Sequence, residues 1–220
     1  MTQLHHAMPT SRIFAAAFTL ALALAGCADE ENDEGGENEE MEIITTVTLT
    51  FTPSGGGGTI TASFRDPDGD GGMSGMTDAL ALTAETTYAM SVAFVNELAN
   101  PAEDITVEVR EEAEDHQVFV YGSGVSGPAM PDTASAVVDH TYADQESDYT
   151  ANAGDDLPVG LSSTITTRTA GTGDLRIVLR HLPELNGAPQ KVAGLVDDLS
   201  RGDPLPGEVD VDVTFALAVQ

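Results

Sequence analysis

From Ile43 onward the chain alternates with a period of two. Ile43, Thr45, Val47, Leu49 and Phe51 fall on one side, and Ile44, Thr46, Thr48, Thr50 and Thr52 on the other. This is the pattern of a half-buried strand rich in β-branched residues. Pro53, Ser54 and Gly55 to Gly58 predict a turn, and Ile60, Ala62 and Phe64 predict a returning strand that completes a hairpin. Those glycines are not read as a phosphate cradle, because no Lys-Ser/Thr follows them.

The alternation recurs along the chain. Tyr88, Met90, Val92 and Phe94 share one face of a strand that ends at Asn100-Pro101, and Ile105, Val107 and Val109 begin another. A short acidic turn from Glu111 to Asp115, open or helical, precedes strands over His116 to Tyr121, Val137 to Tyr142, Leu161 to Thr167, Leu175 to His181 and Val209 to Val219. In the last strand Val209, Val211, Val213, Phe215, Leu217 and Val219 share a face, and Asp210, Asp212 and Thr214 share the other. No segment keeps a helical period, and Gly or Pro punctuates most gaps. The expectation is an all-β fold: a single antiparallel β-sandwich, Ig-like or jelly-roll in style, over residues 43–220. The stretch from Pro183 to Pro206 is longer than a tight turn needs and is expected to be a loop that offers a binding surface.

The N-terminal segment has a different organisation. Arg12 precedes an apolar run from Ile13 to Ala25, shorter than the roughly 20 residues that span a bilayer. It reads as a secretory signal over 1–26. Leu24-Ala25-Gly26-Cys27 resembles a bacterial lipobox, which implies cleavage before Cys27 and lipidation of its thiol. The membrane is therefore an expected partner, reached through the lipid anchor. The following residues to Met41 are almost wholly Asp, Glu, Asn and Gly. With Cys27 they form an expected disordered tether over 27–42, too polar to offset the entropy of ordering. Its acidity resembles the export signal of surface-exposed lipoproteins in Bacteroidota-type bacteria.

Charge narrows the partners. The chain has 8 Lys+Arg against 37 Asp+Glu, a formal net charge of −29. Removing the signal takes away only Arg12 and leaves the rest more negative still. Such a field repels nucleic acid and favours cations, so no nucleic-acid partner is expected. Cys27 is the single cysteine, which rules out an intramolecular disulfide framework.

Two candidate sites follow. Asp66-Pro67-Asp68-Gly69-Asp70-Gly71-Gly72 matches the first half of a calcium loop, with carboxylates at alternate positions and Gly at the sharp turn. Thr77 stands where the bidentate Glu belongs, so Asp78 is the candidate that joins Asp66, Asp68 and Asp70 around calcium. A weaker acidic cluster is Asp144, Glu146 and Asp148, with Asp155 and Asp156 beyond. The alternative is histidine-based. His181 continues the parity of Leu175, Ile177 and Leu179, and His116 that of Val118 and Val120. Two imidazoles at sheet ends form a candidate site for a transition metal or haem iron. The third mature histidine is His140. No nucleophile elbow, zinc-protease, redox-cysteine, P-loop or dinucleotide motif is present, and no enzymatic role is expected.

The Thr45 to Thr52 strand, the Asp66 to Gly72 loop, Asn96 to Ile105, Asp115-His116-Gln117, Pro158-Val159-Gly160-Leu161 and Leu179-Arg180-His181 together resemble a group of lipoproteins of Bacteroidota-type bacteria. These are sometimes grouped under a "type 1 periplasmic binding fold" heading, which implies alternating α/β structure; the period-two pattern points away from it. The resemblance carries no activity over. The expected role is a lipid-anchored lipoprotein of the cell envelope, at the outer membrane and facing the periplasm or the surface. Its domain is expected to be a binding or structural one, with calcium in the Asp loop and a surface protein or glycan as partner. The alternative is a metal- or haem-binding accessory to an outer-membrane uptake receptor.

Overall fold

The computed structural model describes residues 42–69, 75–131, 133–151 and 155–220. The signal segment, Cys27, the acidic stretch to Met41 and Asp70 lie outside these residues. All described residues belong to one unit, Glu39–Gln220.

The predicted hairpin is β1 (Thr46–Pro53) and β2 (Ile60–Arg65), paired antiparallel with Phe51 opposite Ile60. Val47, Leu49 and Phe51 are buried while Thr48, Thr50 and Thr52 are not, so the parity follows the sequence. Met76–Thr77 forms β3 beside β2, and Leu80–Leu82 forms β4. On the other side of β1 lies β5 (Thr87–Val95), with Tyr88, Met90, Val92 and Phe94 all turned inward. Tyr88 meets Phe51 edge-to-face at 6.2 Å, and each buried aromatic contributes on the order of 1.5–3 kcal/mol.

The next segment departs from the expected strand. Ile105–Glu111 is a helix, α1, in which Ile105 and Val109 are buried and Val107 is exposed. Ile105 and Val109 lie one helical turn apart, a spacing that serves a short helix as well as an alternating strand. Local capping decides between them, because the Asp104 carboxylate accepts the Thr106 N–H. Thr106 Oγ1 then accepts the Phe94 N–H at 2.9 Å and donates to the Phe94 carbonyl, which ties α1 to the end of β5.

The remaining strands are β6 (His116–Tyr121), β7 (Val125–Ser126), β8 (Val138–Tyr142), β9 (Ser162–Thr167), β10 (Gly171–His181) and β11 (Glu208–Val219). Among the described residues they complete a seven-stranded sheet, β3-β2-β1-β5-β9-β8-β7, and a four-stranded sheet, β4-β11-β10-β6. The fold is all-β, with one main core cluster drawn from both sheets. Pairing is not purely antiparallel as expected: β4 runs parallel to β11, and β7 parallel to β8. Both are short strands reached through loops rather than tight hairpins, and a loop leaves the direction of the next strand open.

The Pro183 to Pro206 stretch contains a second helix, α2 (Leu195–Arg201). Its Leu195 packs with Phe119, Val178 and Leu182 in a separate small core on the outer face of the four-stranded sheet. Arg180 holds the end of this stretch by donating to the carbonyls of Leu205, Pro206 and Gly207. Lys191 is buried, 2.7 Å from Glu146 Oε1, and also donates to the Ala113 carbonyl. These anchors tie the predicted loop to both β10 and the turn below α1.

Candidate metal centre

The antiparallel register of β6 and β10 sets His116 directly opposite His181 at the end of the four-stranded sheet. Their rings stack with centroids 4.6 Å apart and planes 2° from parallel. Both keep the inward parity read from the sequence. The chain reaches β6 from α1 through a short turn, which places Glu112, the residue that caps α1, above the pair. The Glu112 carbonyl lies 3.3 Å from His116 Nδ1, and its carboxylate Oε2 lies 3.8 Å from the same nitrogen. One donor atom from each of Glu112, His116 and His181 can be chosen so that all lie within 4.8 Å of one another. Among the described residues this is the group of three or more such side chains placed to hold an ion.

The electrostatics match that geometry. The His116 side chain is 0% exposed and its Nε2 has no hydrogen-bond partner. Burial, and then the neighbouring His181, lower its pKa to about 4, so it is a neutral donor at physiological pH. Glu112 is shifted upward by burial and by Glu108, one helical turn back on α1. Glu42, expected in the tether, packs here too; burial first and then Glu108 push its pKa up to about 8. Its carboxyl group hydrogen-bonds to that of Glu108. Beside His181 a cavity of about 270 Å³ opens between Pro183, Leu185, Gln190, Gly207 and Glu208. Gly207 has φ +71° and sits against the His181 carbonyl, which an added Cβ would approach to 2.1 Å, so only glycine fits at this corner.

The carboxylates of the expected calcium loop are differently placed. Asp66 is buried beside a cavity of about 220 Å³. Asp78 is exposed, accepts the Ser63 N–H at 2.9 Å and lies 3.6 Å from Arg65. Asp66, Asp68 and Asp78 do not form a group of ligand atoms comparable to the histidine centre, and Asp70 lies outside the described residues.

The second acidic cluster is built into the fold. Asp144 accepts from the Tyr149 hydroxyl and from the N–H groups of Gly160 and Ser162, while Glu146 pairs with Lys191. Asp156 receives the Ser147 N–H and hydroxyl. His140 is buried, with Nε2 3.0 Å from Ser163 Oγ.

Sequence reading named the two histidines but not Glu112, Glu108 or Glu42. The apolar parity of the segment carrying Glu108 and Glu112 matches a strand followed by an acidic turn, a pattern that hides their one-turn helical spacing. No helix among the described residues is long and apolar enough to cross a membrane. No protein-family model, curated protein or solved structure matches the chain.

Proposed function

We propose that this chain is a non-enzymatic, lipid-anchored lipoprotein of the cell envelope that binds a divalent transition-metal ion through Glu112, His116 and His181. The observation that carries the reading is the convergence of three donors within 4.8 Å around a buried imidazole whose Nε2 has no partner. Two neutral nitrogens and a carboxylate suit first-row cations such as Zn²⁺, Co²⁺ or Ni²⁺, whereas Ca²⁺ calls for oxygen alone. The strongly negative chain adds a field that draws cations in. In this reading the two sheets form a sandwich of the Ig-like or jelly-roll kind that holds the site at one end, and Cys27 anchors the protein where it can pass its cargo to an uptake receptor.

The nitrogen lone pairs of stacked rings lie in two parallel planes and do not meet at one point. Loading therefore turns the His181 ring out of the stack, while buried His116 stays in place. A haem is less well supported, since two rings lying face to face do not occupy opposite axial positions of one iron.

The test is thermal melting of the full chain after EDTA treatment, with Zn²⁺, Co²⁺, Ca²⁺ or haem added back. At 100 times Kd a ligand of the native state stabilises by about 2.7 kcal/mol, or about 5–10 °C for a domain of this size. A Zn²⁺ or Co²⁺ shift that vanishes in His116→Ala is the expected result. No shift with either ion rules the reading out, and a shift with Ca²⁺ alone returns the site to the Asp66 loop.

A further inference from the structure

β11 carries a β-bulge. Leu179 pairs with Val211, but the next residue of β10, Arg180, pairs with Val209, so Asp210 has no partner in the ladder. A bulge of this kind re-aims a side chain, and the burial shows the result. Strict alternation puts Val209 inside with Val211, and Asp210 outside with Asp212. Instead Val209 is 40% exposed, and both carboxylate oxygens of Asp210 are buried without a hydrogen-bond partner. Asp210 is thus turned toward the end of the sheet where His181 lies, within electrostatic reach of His181, Glu108 and Glu42.

A carboxylate withdrawn from water without a partner is costly. The guanidinium of the adjacent Arg180 is committed to the carbonyls of Leu205, Pro206 and Gly207. Asp210 is therefore a carboxylate with buried, open lone pairs on the strand next to His181, outside the Glu112, His116 and His181 group whose donor atoms lie within 4.8 Å of one another, so that binding must draw it in.

We propose that Asp210 is a fourth ligand of the metal centre, so that the ion is held by two imidazoles, from His116 and His181, and two carboxylates, from Glu112 and Asp210. This rests on the metal-binding reading above and extends it to the ligand set. Two nitrogens and two anionic oxygens favour a divalent first-row cation over Cu⁺, which prefers sulfur, and over Ca²⁺. Glu108, hydrogen-bonded to Glu42 and one helical turn from Glu112, lies behind this set as an outer carboxylate.

The experiment is a competition titration of the full chain with Zn²⁺ and with Co²⁺, comparing wild type, Asp210→Asn and Asp210→Ser. Asp212→Asn controls for the loss of one negative charge nearby, since Asp212 pairs with Arg176 on the opposite face. Expected are at least a 10-fold loss of affinity in both Asp210 variants, a changed Co²⁺ d–d spectrum at saturation, and wild-type behaviour in Asp212→Asn. The metal-free melting temperature of Asp210→Asn should be at or above that of wild type, and Asp210→Ser gives the same comparison should the Asn variant not fold. Unchanged affinity and Co²⁺ spectrum in both Asp210 variants, with tight binding by wild type, overturn Asp210 as a ligand and leave the three-residue centre standing. Failure of wild type to bind either ion removes both.

Discussion

His116 and His181 face one another across β6 and β10 with their ring planes 2° from parallel. A stack of this kind can serve packing alone or hold two donors in reserve, and substitution separates the roles. His181→Phe keeps an aromatic ring against His116 and removes the donor. Its metal-free stability should stay within about 1 kcal/mol of wild type. Zn²⁺ affinity should fall by more than the roughly 10–100-fold typical of losing an outer partner of a metal ligand. Calorimetric titration beside melting curves reads both.

Thr106 fixes the helix that carries Glu112. Thr106→Val removes the hydroxyl that satisfies the Phe94 N–H and leaves a buried donor open, at a cost of about 1–3 kcal/mol. Metal affinity should fall with it, because α1 loses its tie to β5. Urea denaturation gives the first quantity and Zn²⁺ competition the second.

Lys191 and Glu146 are both buried. Lys191→Met leaves the Glu146 carboxylate without its cation and should cost about 3–5 kcal/mol. The double variant Lys191→Met/Glu146→Gln should recover most of that loss. A double-mutant cycle in urea checks the expectation, and a double variant no more stable than the single one would refute it.

Acid should weaken the metal-free protein through its core histidines. Burial lowers His140 to about 4 from an ordinary 6.5, so the unfolded chain binds the proton more readily than the native state. Stability present above pH 6.5 is then lost as pH falls toward 4, by up to about 1.4 kcal/mol per pH unit for this residue. His140→Gln should flatten the stability profile between those limits while lowering stability at neutral pH, as measured by urea melts across the range.

The strands were legible in the sequence because a pleated chain turns successive side chains to opposite faces, and one face here is consistently apolar. That parity alone located β1, β2, β5, β6 and β8 to β11, although β5 ends at Val95 rather than Asn100-Pro101 and β10 begins at Gly171 rather than Leu175, and it placed His116 and His181 on the inner face. Parity could not supply register. His116 meets His181 because β6 and β10 are neighbours with those residues opposite, a relationship between segments far apart in the chain.

It also failed where local structure broke the rule. The Asp104 cap and the Thr106 tie made a helix of an apparent strand and brought Glu108 and Glu112 onto one face. The β-bulge moved Asp210 from the outward set to the inside. The sequence by itself determined the all-β class, the strong negative charge and the inward histidines, because composition and period two are properties of single segments. Which carboxylates join those histidines was decided only by tertiary structure, because it depends on strand register, a cap and a one-residue bulge.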